Sequence, residues 1–174
     1  MKGGNFLMFS KGEFVVKPNA GVCVIEDIIS KRLSDTAEEK KYYCLAPVAD
    51  SRARLFVPVG SDMDKTRLRK AMSENEAWEL IRSIPDIESR WIENDKYREQ
   101  EYKDAVHSND PRALVSIIKN LYIRNKTREE NGKKVTAVDD RYFKLAENAL
   151  YSEIAHALNR NIDELQQLIS STLK

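Results

Sequence analysis

FSKGEFVVKPNAGVCVIEDI, residues 9–28, holds two short runs of β-branched and aromatic side chains. The first run is 14–16 and the second is 22–25, and such residues favour strands. Between the runs, Pro18 fixes its own φ and Gly21 tolerates a positive φ, so this segment should reverse the chain. The stretch therefore predicts two strands that open a small β-barrel.

Two further β-type runs follow before residue 60. Strands are predicted over about 13–17, 22–31, 40–47 and 53–59. Four or five strands in so short a length cannot build a sandwich. The expected closure is therefore a strongly bent barrel of the SH3 or Tudor type.

Helix signals replace strand signals at Ser73. Ser73 and Glu76 match a capping box, and Asp110 with Pro111 matches an N-cap followed by proline at the first helical position. Helices are predicted over about 73–84, 86–107 and 111–128, with a fourth that begins at Asp139 or Asp140 and a fifth that begins at Asn161. Strands first and helices after predict an α+β fold, in which a small SH3/Tudor-like β-barrel precedes an all-α helical domain.

The sequence of the opening stretch resembles that of CarD/CdnL-type transcription regulators. The matching positions are Phe9, Gly12, Val15, Val16, Pro18, Gly21 and Val22. Lys17 and Ala20 depart from the usual Tyr and His of that pattern. The resemblance continues through 42–45, 56–59 and 68–69 and into the helical half. It implies a flexible extension at 1–7, an RNA polymerase-interacting Tudor-like domain at 8–72 and a helical DNA-binding domain at 73–174.

Composition limits the possible functions. The chain has 174 residues, 41% of them hydrophobic, which suffices for a packed core. Since no apolar run approaches the length of a membrane span, we expect a cytoplasmic protein with no membrane partner. Cys23 and Cys44 fall inside predicted strands and should be reduced. Because nucleophile, phosphate-loop and zinc-hydrolase motifs are missing, we expect no enzyme activity, no cofactor, no metal and no small-molecule substrate.

Arg52, Arg54 and Phe56 form the first candidate site. They alternate along the fourth predicted strand and should share one face, with Leu55 and Val57 on the other. An edge strand of a small barrel can accept a partner strand. The resemblance implies that this region docks on the β subunit of RNA polymerase. The alternative from periodicity is that Phe56 is packed and the arginines are only solvated.

Trp91 is the second candidate, together with Arg90, Lys96 and Arg98. The resemblance implies that this tryptophan wedges into the minor groove of promoter DNA at the upstream edge of the transcription bubble. An aromatic wedge costs unstacking energy, but less where the duplex is already opening. The alternative is a Trp buried against a neighbouring helix. The segment 86–110 carries only 4 bases against 8 acids, and this composition favours a protein partner over DNA.

The third candidate is a basic stripe on the third predicted helix. Arg112, Lys119 and Lys126 recur every seven residues, and Lys133 and Lys134 extend the stripe into the following loop. Such a stripe could track phosphates with little sequence readout. It could equally be an ordinary solvated helix face.

Charge is distributed unevenly along the chain. Residues 1–72 hold 13 Lys and Arg against 9 Asp and Glu, whereas 73–174 hold 16 against 19. Any DNA contact must therefore be local. The resemblance implies a nucleoid-associated bacterial transcription regulator that binds the polymerase β subunit and stabilises the open promoter complex. The rivals are an adaptor whose helical domain recruits another protein, and a free-standing DNA-binding protein that reads DNA with its last helix; the absence of bases from that helix argues against the second.

Overall fold

The structure is a computed structural model that describes residues 9–60, 68–89 and 92–172. The chain divides into two compact units, Met1–Ala71 and Met72–Lys174. The strands lie in the first unit and the helices in the second, so the fold is α+β, as the sequence predicts.

The first unit contains an antiparallel sheet of five strands. They are β1 (Phe14–Lys17), β2 (Gly21–Lys31), β3 (Lys40–Pro47), β4 (Leu55–Pro58) and β5 (Arg69–Lys70). Their order in the sheet is β4-β3-β2-β1-β5. The first four strands are confirmed to within two residues at each end. The fifth is too short to leave a periodic signal in the sequence.

The turn between β1 and β2 reverses the chain, as predicted. Lys17 and Gly21 are paired across it, and the amide of Ala20 donates to the carbonyl oxygen of Lys17 at 3.1 Å. Asn19 and Gly21 adopt φ values of 68° and 73°, the left-handed region that Asn and Gly tolerate best. Turn chemistry therefore sets the register of the first hairpin.

One face of the sheet forms the core of the first unit. Its buried residues are Phe9, Val15, Cys23, Ile25, Tyr43, Leu45, Val57 and Leu68. Tyr43 is fully buried, and its hydroxyl accepts a hydrogen bond from the amide of Phe9 at 3.2 Å. Within the described residues the sheet is open rather than closed into a barrel, with β4 and β5 at its edges.

The second unit consists of five helices and one short 3-10 turn in the described part of the chain. They are α1 (Glu74–Ser83), the 3-10 turn Ile84–Asp86, α2 (Asp95–His107), α3 (Pro111–Glu130), α4 (Ala137–Leu158) and α5 (Ile162–Thr172). Three predicted caps are confirmed: the capping box of Ser73 and Glu76, Asp110 at α3, and Asn161, whose Oδ1 accepts from the amide of Glu164 at 2.8 Å.

Two predicted helix starts are wrong. The helix expected from Asp86 begins only at Asp95, because Asn94 supplies the cap and Asp86 lies in the 3-10 turn. The fourth helix begins at Ala137, one turn earlier than Asp139 or Asp140 would give. Thr136 is the cap and accepts from the amide of Asp139. The Asp139 carboxylate instead has partners in the interior.

One hydrophobic core joins the helices of this unit. The predicted apolar face of α3 is confirmed, with Leu114, Ile117 and Leu121 at most 5% exposed. Leu165 and Ile169 of α5 lie in the same core. Trp78 packs partly against it and lies under the guanidinium of Arg160, at 5.6 Å from the ring centroid.

Candidate functional site

Strand β4 presents an aromatic side chain at an edge of the sheet. Phe56 is 47% exposed while its neighbour Val57 is 1% exposed, so the alternation predicted for these two residues is confirmed. In the described part of the chain β4 pairs with β3 alone. A strand paired on one side offers backbone donors and acceptors to another strand.

Lys31 lies over the exposed ring of Phe56. Its Nζ is 5.2 Å from the ring centroid, within the range of a cation–π contact. The register explains the pairing: Phe56 is opposite Cys44, Cys44 is opposite Asp27, and Lys31 follows Asp27 on the same face. Sequence reasoning missed Lys31, since only the register across three strands brings it to Phe56.

Arg52 and Arg54 lie before β4 and not on it, so the prediction that they alternate along the strand is wrong. The amide of Arg52 donates to Asp50 Oδ1 at 3.1 Å, which marks a local Asx turn. Arg54 pairs with Glu26 at 2.6 Å and donates to the carbonyl oxygens of Ser51 and Ala53. Glu26 reaches Arg54 from a bulge, where the β2–β3 register shifts.

Both side chains of the Arg54–Glu26 pair are 40% exposed. An ion pair this exposed contributes little to stability. Its contribution to the site is therefore to hold the guanidinium beside the β4 edge. Arg52, also exposed, lies two residues before Arg54 in the same basic segment.

Arg90 and Trp91 lie outside the described residues. Around them, Ser89 is partly buried and Ile92 is 6% exposed in the helical core.

Arg98 is not a surface base, so the prediction that it contacts DNA is wrong for this structure. It is 6% exposed, and its Nη2 donates to the carbonyl oxygen of Ile92 at 2.7 Å. Its Nε pairs with Asp95 Oδ1 at 2.9 Å, and this contact holds the pKa of the Asp95 carboxyl below its usual range. Lys96, by contrast, is exposed in the first turn of α2.

The basic stripe is interrupted in the middle. Arg112, Lys126, Lys133 and Lys134 are exposed. Lys119 is partly buried, and its ammonium donates to the carbonyl oxygens of Ile87 at 2.6 Å and Pro85 at 3.3 Å. Four of the five predicted stripe residues thus remain available to a polyanion, and Lys119 has an internal role.

A buried polar cluster joins three helices and was not foreseen. Asp139 of α4 is 1% exposed, and it accepts from Arg124 Nε of α3 at 2.8 Å and from the Tyr102 hydroxyl of α2 at 3.1 Å. Burial raises the pKa of Tyr102, which keeps the phenol protonated and able to donate. From the sequence these three residues would be taken for exposed helix residues, because they lie on separate helices and share no periodic spacing.

Comparison with protein families identifies the first unit. Residues 9–72 match the family model of the CarD-like/TRCF RID domain. The chain carries an RNA polymerase-interacting domain of the CarD-like/TRCF type. Residues 9–72 are therefore an RID domain, as the resemblance implied for this part of the chain. No curated protein matches the chain.

The RID domain spans all five strands, so Lys31, Arg52, Arg54 and Phe56 all lie inside it. RID domains form a polymerase-interacting family and not a catalytic one. The predicted DNA-binding residues lie beyond the matched region, in the helical unit, and remain predictions.

Across residues 9–60, 68–89 and 92–172, no three His, Cys, Asp or Glu side chains come together as metal ligands would. Over the same ranges, every helix is too short or too polar to cross a bilayer. Both cysteines are unpaired thiols, and burial raises the pKa of Cys23, which lies in the RID core.

Proposed function

We propose that this protein is a bacterial transcription regulator whose RID domain binds the β subunit of RNA polymerase through the β4 edge. The helical unit contacts promoter DNA just upstream of the bubble and stabilises the open complex. The protein works beside polymerase in the cytoplasm, associated with the nucleoid. The observation that carries the proposal is an RID domain whose edge strand exposes Phe56.

The chemistry of the β4 edge supports protein docking. Aromatic residues and arginine are enriched at protein–protein interfaces relative to the rest of the surface. Phe56 supplies apolar area, Lys31 and Arg54 supply positive charge, and the free strand edge supplies main-chain hydrogen bonds. The expected partner surface is an edge strand of polymerase with apolar and acidic side chains.

We further propose that the RID sheet, which is open within the described residues, is a partly open barrel of the Tudor-like type. The strand order β4-β3-β2-β1-β5 supports this, since the last strand returns to lie beside the first. The bulge at Glu26 adds the bend that such a small barrel needs.

Exposed bases of the helical unit support the DNA contact. Lys96, Arg112, Lys126, Lys133 and Lys134 can neutralise phosphates without reading sequence. Trp91, with Arg90, is the proposed minor-groove wedge. The unit is net acidic, so its contacts alone would be weak. Attachment to polymerase raises its effective concentration at the promoter and makes weak contacts sufficient.

The mechanism is differential binding. A regulator shifts the equilibrium between closed and open complexes only by the difference in its affinity for the two states. A wedge at the bubble edge finds its site only when the duplex there is distorted. The bound regulator therefore lengthens the life of the open complex.

The test is a pair of measurements with cognate polymerase: binding of the protein, and lifetime of the open complex. Phe56→Ala should weaken polymerase binding by about tenfold or more. Phe14→Ala is the matched control, because Phe14 is 41% exposed on a different strand of the same sheet. Equal loss from both variants, or none from Phe56→Ala, would show that docking uses another surface. Trp91→Ala should shorten the lifetime and leave polymerase binding intact.

One observation favours a second candidate, a polymerase-bound adaptor that recruits another protein. With Arg98 buried, the exposed charged side chains of α2 and the segment before it are mostly acidic; they include Asp86, Glu93, Asp95 and Asp104. An acidic surface repels DNA and suits a basic protein partner. A promoter effect that survives replacement of Trp91 and the exposed bases would establish this candidate and exclude the wedge.

A further inference from the structure

The loop that joins α3 to α4, residues 131–136, begins with an ordered helix end. The amide of Lys133 donates to the carbonyl oxygen of Arg128 at 2.8 Å, and the amide of Gly132 donates to that of Glu129 at 2.9 Å. These two hydrogen bonds form a Schellman motif, in which Gly132 adopts the left-handed conformation with a φ of 70°. The path of the backbone out of α3 is therefore set as far as Lys133.

A side chain of α3 fixes the next part of the same loop. Arg128 Nε donates to the carbonyl oxygen of Lys134 at 3.0 Å, and the Arg128 side chain is partly buried. Thr136 then caps α4, where its hydroxyl accepts from the amide of Asp139 at 3.1 Å. The loop is thus held at its start by the helix end, in its middle by Arg128 and at its end by the cap of α4.

Two exposed bases lie on this fixed backbone. Lys133 and Lys134 are both exposed, and both belong to the surface proposed above to neutralise DNA phosphates. A binding segment that is ordered in advance loses less conformational entropy when it engages its target. Ordering of the loop should therefore strengthen the contacts that these two lysines make with a phosphate backbone.

We propose that Arg128 is a positioning residue for the promoter contact of Lys133 and Lys134. Its guanidinium binds the loop backbone and does not touch DNA. A hydrogen bond from a charged donor is stronger than a neutral one, so a single contact suffices to hold the Lys134 carbonyl. The proposal rests on the proposed function of the helical unit, which supplies the DNA that the two lysines bind.

Two substitutions distinguish positioning from a direct phosphate contact. In Arg128→Gln the side-chain nitrogen lies as many bonds from Cα as Nε does, so this variant keeps a donor for Lys134 and loses the charge. Arg128→Met loses both. With the full-length protein and cognate polymerase, Arg128→Met should shorten the open-complex lifetime about threefold to tenfold, the effect expected from losing a charged hydrogen bond. Arg128→Gln should retain most of the wild-type lifetime. Equal losses from the two variants would show that the charge itself contacts DNA and would overturn the proposal.

A double-mutant cycle tests whether Arg128 acts through the two lysines. In a background that carries Lys133→Met and Lys134→Met, Arg128→Met should shorten the lifetime no further. Lys126→Met is the control, since Lys126 is exposed on α3 two residues before Arg128. As a separate phosphate contact, it should add its own loss in that background. A loss from Arg128→Met as large there as in wild type would overturn the proposal.

Backbone amide relaxation measured by NMR tests the ordering of the loop without DNA or polymerase. The order parameters of the Lys133 and Lys134 amides should be about 0.85 in wild type and in Arg128→Gln, the value of rigid backbone, and should fall toward about 0.6 in Arg128→Met. Lys126→Met should leave them unchanged. Unchanged order in Arg128→Met would overturn the positioning role.

Failure of the promoter contact gives a different result. If the variant with both Lys133→Met and Lys134→Met has the wild-type lifetime, the loop does not contact the promoter, and that part of the proposed function fails together with the proposal. If that variant loses lifetime while Arg128→Met does not, the promoter contact stands and only the positioning role of Arg128 is overturned.

Discussion

Arg124 and Asp139 form an ion pair in the interior of the helical unit, with 2.8 Å between Nε and Oδ2 and only 1% of the Asp139 side chain exposed. The other carboxylate oxygen of Asp139 accepts from the Tyr102 hydroxyl. Because both oxygens have donors, the buried charge is compensated. The pair therefore specifies how α2, α3 and α4 meet, in addition to the apolar contacts of the core.

Removing the carboxylate should strongly destabilise the helical unit. Asp139→Ala removes the 2.8 Å partner of the mostly buried Arg124 guanidinium and leaves it only a 3.9 Å contact with Asp95, a change that costs about 3–5 kcal/mol. The neighbouring Asp140 is the control: it makes a 2.8 Å ion pair with Lys144, but both side chains are largely exposed. Asp140→Ala should cost less than about 1 kcal/mol. Urea unfolding monitored by circular dichroism measures both, and equal losses would refute the assigned role.

The fold was predictable from the sequence wherever a local signal sets it. The Pro-Asn-Ala-Gly turn, the capping box at Ser73 and the Asp110–Pro111 helix start were all read correctly, since each depends on a few adjacent residues. The start of α2 was missed because Asp86 and Asn94 are both acceptable caps. The carbonyl oxygens of Glu88 and Ile87 accept instead from side chains of α3, which are distant in sequence.

The candidate site was less predictable, for a related reason. The exposure of Phe56 followed from the alternation of side chains along β4. The contact of Lys31 with its ring depends instead on a strand register that crosses a β-bulge. Arg98 and Lys119 have the spacing of surface bases. Only the fold shows that their charged groups donate hydrogen bonds to backbone carbonyl oxygens. A sequence gives the kind of side chain at a position, whereas its partner depends on tertiary packing.

Glu147 gives a pH-dependent prediction. Burial raises the pKa of its carboxyl, partly offset by a hydrogen bond from Tyr151, whose own pKa burial raises to about 12. A raised carboxyl pKa means that the fold favours the protonated form, so stability falls as pH rises through that pKa. Glu147→Gln removes the charge and keeps an acceptor for Tyr151. It should be more stable than wild type at pH about 7 and equal to it below pH about 4. Urea unfolding at both pH values measures this, and a Gln variant that is less stable at neutral pH would contradict it.

Arg98 and Lys126 should separate structural bases from DNA-contacting ones. Arg98→Ala leaves the Ile92 carbonyl without its donor and opens space beside the core, so it should lower the free energy of unfolding by about 1–3 kcal/mol. Lys126→Ala alters an exposed side chain and should change stability by less than about 0.5 kcal/mol. In promoter binding, Lys126 should be the residue that matters. Lys126→Ala should reduce the slope of log affinity against log salt concentration by about one unit per lost phosphate contact. Binding to an upstream promoter duplex in the presence of polymerase, titrated with salt, measures that slope. If Arg98→Ala is as stable as wild type and lowers the slope, Arg98 contacts DNA after all, and its buried position is not the one that the promoter complex uses.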